Sequence, residues 1–131
     1  MSTNPNAAAS SGLAKIADTG AAGFTLINGT QNVIAWTAPS DGQAHTFTVY
    51  GQVHVTAIET GGQIQIAYTQ PDGNGQTTII DAGGHGATGT FGLGSSGNFS
   101  RQVQAGTTVT LQQGTALTAG TAVMFASLFG A

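Results

Sequence analysis

The stretch His45–Glu59, HTFTVYGQVHVTAIE, decides the fold. Its odd positions Phe47, Val49, Gly51, Val53, Val55 and Ala57 are apolar or small, whereas the even positions Thr46, Thr48, Tyr50, Gln52, His54 and Thr56 are polar or amphipathic. Side chains on a strand point alternately to opposite faces, so this is a long β-strand with one buried face. At about 3.3 Å per residue it spans roughly 45 to 50 Å, either unbroken or as two shorter strands bent or bulged at Gly51.

Working outward, the same period recurs. Upstream, GFTLIN places Phe24 and Leu26 on one face, and TQNVIAWT alternates Ile34 and Trp36 with Val33 and Ala35. Asn28-Gly29 between them predicts a two-residue hairpin. Pro39-Ser40-Asp41-Gly42 is a turn, because proline fixes φ and glycine tolerates positive φ. Downstream, Gly61-Gly62 reverses the chain into GQIQIAYTQ, with Ile64, Ile66 and Tyr68 on one face. Pro71-Asp72-Gly73-Asn74-Gly75 is a second turn, leading into the short strand QTTIID. Residues 82–97, AGGHGATGTFGLGSSG, are too glycine-rich for a sturdy strand and predict a long surface loop with one weak strand around Thr88–Leu93. NFSRQVQ and TTVTLQQ follow as strands joined through Ala105-Gly106, the second with Val109 and Leu111 on one face.

The final segment, TAVMFASLFGA, differs in kind. Val123, Phe125 and Phe129 alternate with Met124, Ala126 and Leu128, so both faces are apolar. A strand buried on both sides within a sandwich of this size predicts a second subunit against its outer face. Eight or nine short strands with turns at roughly ten-residue intervals and no persuasive helix give an all-β chain, an antiparallel sandwich or jelly roll. Residues 1–22, small and polar, form an N-terminal arm or tail, and residues 23–131 the β-sandwich domain. Left alone the first segment is a flexible tail; laid along another subunit it is an arm contacting through Leu13 and Ile16.

Composition bounds the function. The 131 residues make one domain without a cysteine, so neither disulfides nor thiolate metal sites hold it together. Only 5% of residues are charged, against about 25% in an ordinary soluble domain. With Lys15 and Arg101 as its fixed cations the chain cannot build the basic surface that nucleic acid requires. A neutral, hydrogen-bonding surface suits a protein packed into an assembly or working outside a cell. No apolar run is long enough to span a membrane. The N-terminus shows no signal peptide, so an extracellular role implies exit by another route, such as lysis.

Candidate chemistry is thin. His45 and His54 have opposite parity on the long strand and cannot share an ion unless a bulge intervenes, while His85 sits in the glycine loop; no metal site is expected. Asp18, Asp41, Glu59, Asp72 and Asp81 are scattered, with nothing to pair them for hydrolysis. There is no G-x-S-x-G elbow, and Gly83-Gly84-His85-Gly86 lacks the lysine and the strand–loop–helix setting of a phosphate loop. No enzyme activity and no cofactor are expected. Trp36, Tyr50 and Tyr68 read as core or interface aromatics.

Taken together, a low-complexity arm, compact strands ending in a hydrophobic β segment, W-T-A-P-S-D-G at residues 36–42 and V-Q-A-G-T-T-V-T-L at residues 103–111 resemble small virion proteins of tailed bacteriophages. These include trimeric, tumour-necrosis-factor-like or other β-sandwich capsid decoration (cement) proteins, and tail-fibre tip domains. The resemblance covers residues 23–131 in pattern and carries over no binding residues. It implies a homotrimer on the outside of a capsid, its arm on the major capsid protein through Leu13 and Ile16, with Trp36, Phe125, Leu128 and Phe129 at the trimer or sheet interface. The alternative is a tail-fibre or spike module that recognises a host-surface glycan through residues 82–97.

Overall fold

The computed structural model describes residues 13–131, which form ten strands: β1 (Ala14–Asp18), β2 (Phe24–Thr25), β3 (Gln31–Thr37), β4 (His45–Gly61), β5 (Ile64–Thr69), β6 (Gly75–Asp81), β7 (Gly89–Gly92), β8 (Asn98–Val103), β9 (Thr108–Gln113) and β10 (Leu117–Gly130). Two antiparallel sheets face each other. One runs β1-β10-β4-β7, with β2 also on β10 and β8 also on β4; the other runs β3-β9-β5-β6. The connectivity is a nested hairpin: β5 pairs with β6, β4 with β7 and β8, and β1 and β2 with β10, while β3 pairs with β9. Wrapping that hairpin into two layers, closed by β4–β10 and β5–β9 pairing, gives a jelly roll. Its tip is the turn at residues 70–74, where the Asp72 carboxylate accepts the Asn74 N–H at 3.0 Å and Gly73 adopts φ 92°.

Parity builds the core. Phe47, Val49, Val53 and Val55 of β4 and Met124 and Leu128 of β10 face Ile64 and Ile66 of β5 and Val109 and Leu111 of β9, all buried. Phe47 is the centre of an aromatic group, its ring 5.4 Å from Tyr68 and 6.1 Å from Phe99. Burial of this kind, at about 25 cal/mol per Å² of apolar surface, is what drives the layers together. Gly51 neither breaks nor bulges β4: its register against β10 runs unbroken from Phe47 to Val55, and a Cβ on Gly51 would come within 2.4 Å of the Phe125 carbonyl. At Gly51 the neighbour on the other side changes from β8 to β7, with Leu93 N–H donating to its carbonyl.

Two sequence expectations are corrected. Asn28-Gly29 makes no hairpin: neither residue has positive φ, which the hairpin turn requires, and β2 and β3 lie in different sheets. The crossover is instead clamped by the buried side chain of Gln113, whose Oε1 accepts the Ile27 N–H at 2.9 Å and whose Nε2 donates to the carbonyls of Ile27 at 2.7 Å and Thr115 at 2.9 Å. Residues 14–18 of the expected arm run as β1 along β10 of the same chain, from Ala14 opposite Gly130 to Asp18 opposite Ser127. Residues 1–12 of that arm lie outside the described residues.

Candidate assembly interface

The outward face of the larger sheet carries a group of apolar side chains left outside the core, while Ile79 of β6 stands exposed on the other sheet. Alternation along β10 turns Val123, Phe125, Ser127 and Phe129 outward, opposite His54, Gln52, Tyr50 and Thr48 of β4. Tyr50 is 50% exposed and meets the Phe129 ring edge-on at 5.5 Å and 88°. Between Tyr50 and Phe125 a shallow groove of about 440 Å³ is edged by Asp18, Gln52 and Ser127.

The chain covers part of this face itself. The turn between β1 and β2 folds onto β10: Thr19 N–H donates to the Ala126 carbonyl at 3.0 Å, and the Ala126 N–H returns a bond to the Thr19 hydroxyl at 3.1 Å. Gly23, at φ 73°, is pressed so closely on Val123 and Phe125 that a Cβ would lie 2.6 Å and 2.8 Å from their side chains. Val123, Phe125 and Phe129 are therefore half-buried within a single copy. A second subunit is not needed to explain why both faces of β10 are apolar, although Tyr50 and the groove stay open.

The expected interface residues divide. Phe125 and Phe129 share the outward face. Leu128 is fully buried in the core and has no surface to offer a second copy. Trp36 lies at the other edge, its half-buried indole against the backbone of Gly130, where a Cβ would be 2.7 Å from the ring. Leu13 precedes β1 and is half-buried, and Ile16 sits at the β1 bulge, 39% exposed. Both fixed cations are engaged locally. Lys15 pairs with Asp18, whose carboxyl is held below its ordinary value by that side chain and by the Gly20 N–H. Arg101 lies 4.2 Å from the centre of the Phe99 ring and donates to the Ser100 carbonyl at 2.7 Å.

A second cluster escaped the sequence. His45 bonds to Asp41 at 2.8 Å, and His54 on the outward face bonds to Thr90 at 3.1 Å, so those two histidines stay apart. His85, however, brings together two carboxylates that nothing in the sequence paired. Its Nδ1 contacts Glu59 Oε1, its Nε2 lies 3.2 Å from Asp81 Oδ1, and its ring stacks on Phe91 at 4.0 Å. Burial pushes the Asp81 carboxyl above its ordinary value, against the lowering effect of the Gly83 N–H and His85. Parity gave no clean signal, because the register of β4 against β10 shifts twice between Val55 and Thr60, leaving Ala57, expected on the buried face, exposed beside the buried Glu59. The two ring nitrogens point at different carboxylates, so the three side chains do not converge on one point, and among the described residues no group of three or more His, Asp or Glu could hold a metal ion.

No family model matches the chain, and no curated protein is significantly similar to it in sequence. Among solved structures, the VP2 subviral particle of infectious bursal disease virus matches 90% of this chain at 13% identity, with a TM-score of 0.52. The two share a fold. The chain spans about a third of that protein's length, 32%. A Bacillus endospore appendage, from a family of disulfide-linked pili, covers 82% of this chain and 88% of its own at 18% identity and a TM-score of 0.30. The infectious bursal disease virus Gx strain structure covers 90% of this chain and 29% of its own at 14% identity and a TM-score of 0.32. Those last two scores are too low to carry a fold argument.

Proposed function

We propose that the protein is a structural component of a virus particle and, more finely, a decoration protein: a homotrimer on the outer surface of a tailed-phage capsid that binds the major capsid protein and stabilises the shell. The observation that carries this is the jelly roll, similar over 90% of the chain to VP2, a protein that forms a subviral particle. Supporting it are a surface almost without charge and an outward sheet face bearing Tyr50, Phe125 and Phe129. Interfaces concentrate aromatic side chains and exclude charge at their centres. A trimer that makes several weak contacts gains its hold by avidity, so no single strong pair is required. Catalysis, a cofactor, nucleic acid and a membrane have no part in the proposal.

The test is to mix purified protein with empty capsid shells of the phage, sediment them, and size the free protein by light scattering. The expected result is a trimer that co-sediments to saturation and raises the temperature at which shells open. A monomer that stays in the supernatant contradicts it. The groove edged by Asp18, Tyr50, Gln52 and Ser127, an exposed aromatic among hydrogen-bonding groups, favours a second reading, a tail module that binds a host glycan. Glycan-array binding lost on Tyr50→Ala, with no binding to shells, would select it.

A further inference from the structure

We propose that Glu59, Asp81 and His85 form a proton-dependent latch, which fastens residues 82–88 across the end of the sandwich and lets go as the solution turns alkaline. The three side chains come from both layers: Glu59 from β4 in one sheet, Asp81 from β6 in the other, and His85 from the loop that crosses between them. Solvent reaches only 1% of the Glu59 side chain, 3% of Asp81 and 16% of His85. The neighbouring glycines make the fit: Gly83 and Gly84 hold φ 71° and 59°, and a Cβ on Gly83 would lie 2.2 Å from the Gly61 carbonyl.

Counting donors shows why a proton is needed. A neutral imidazole has one N–H to give and one lone pair, yet a carboxylate oxygen faces each ring nitrogen. With the ring neutral and both carboxylates ionised, one lone pair opposes another and the buried cluster carries two negative charges. One added proton, on the ring or shared with Asp81, satisfies both contacts and halves the buried charge. Glu59 and Asp81 are the charged groups that face the ring, and Phe91 of β7 covers its flat side. Glu59 Oε2 is buried with no hydrogen-bond partner, so nothing on that side of the carboxylate relieves the charge once the proton leaves. The raised proton affinity of Asp81 acts in the same direction: stability tied to its protonated form is present in acid and lost as pH rises through the raised value.

The latch carries its own reporters. Gly83 N–H donates to Asp81 Oδ1 at 2.8 Å, Gly84 N–H to the Gly61 carbonyl at 3.0 Å, and His85 N–H to Glu59 Oε1 at 3.3 Å. Their hydrogen exchange, measured residue by residue by NMR and corrected for intrinsic rate, reads how often the loop opens. From about pH 4, the ordinary carboxylate value, to about pH 9 their protection is expected to fall at least about tenfold in the native protein, while the core amides of β5 and β9 keep theirs. Asp81→Asn removes the need for the proton, because an amide can donate to Nε2 while Nδ1–H donates to Glu59. Since the same Oδ1 also accepts the Gly83 N–H, that amide loses its acceptor and the variant is read at Gly84 and His85, where the drop should shrink to less than about twofold. Glu59→Gln does the same through the opposite tautomer at the expense of the acceptor of the His85 N–H, so it is read at Gly83 and Gly84 and stands as an independent check. Protection flat across this range in the native protein, or an unchanged drop in whichever of these variants folds, overturns the latch.

Discussion

Replacing Gln113 by alanine is expected to cost far more than replacing its neighbour Gln112. The Gln113 side chain is 1% exposed and makes three hydrogen bonds, accepting from the Ile27 N–H and donating to the carbonyls of Ile27 and Thr115. The Ile27 carbonyl keeps a second partner in the Leu117 N–H at 2.9 Å, but the Ile27 N–H loses its acceptor. At about 1 kcal/mol net for each bond, with the penalty for a stranded donor added, Gln113→Ala loses about 3–5 kcal/mol. Gln112 points outward, where its amide accepts from Gln65 and donates to Asn32, both at 2.9 Å. Water replaces those partners, and Gln112→Ala costs about 0.5 kcal/mol. Urea unfolding at neutral pH, fitted with a common slope, measures both. Losses within about 1 kcal/mol of each other would refute the clamp and the parity of β9 on which it depends.

Other outcomes follow from the same structure. Gly51→Ala drives a methyl group into the Phe125 carbonyl, 2.4 Å away, and is expected to lower stability by more than about 2 kcal/mol in thermal unfolding. Hydrogen bonding from Asp41 raises the His45 pKa above 6.5, and His45 in turn lowers Asp41 below 3.8. The stability this pair contributes is fully present between those two ordinary values, fading as acid protonates Asp41 through its lowered pKa and as base deprotonates His45 through its raised one. NMR titration of His45 should show its midpoint fall in Asp41→Asn; an unmoved midpoint would count against the pair. Tyr50→Arg places a charge on the outward aromatic face and is expected to abolish shell binding while leaving thermal unfolding within about 1 kcal/mol of the native protein, as scanning calorimetry would show.

Much of the fold was legible because burial in a sandwich repeats every second residue. Ile64, Ile66 and Tyr68, Val109 and Leu111, and Met124 and Leu128 each announced a face, and each occupies the core. Which sheet a strand joins was not legible. Asn28-Gly29 carries local hairpin chemistry, but Gln113, 86 positions away from Ile27, decides the path of that crossover. Nested pairing places most of the deciding contacts far apart in sequence, beyond the reach of turn propensity. The candidate face was half legible. The parity of β10 put Phe125 and Phe129 on one face and Leu128 on the other, where it joins the core between the sheets, whereas nothing in the sequence placed Trp36 against Gly130. The Glu59–His85–Asp81 cluster was hidden for the same reason, as three polar residues in separate segments whose meeting depends on how the layers close.

The central claim, a structural role in a virus particle, is tested most directly by counting copies of this chain in purified particles by quantitative mass spectrometry against the major capsid protein. The predicted result is hundreds of copies in fixed ratio to the shell subunits. A few copies per particle would move the protein to the tail, and its absence from particles would contradict the structural role altogether.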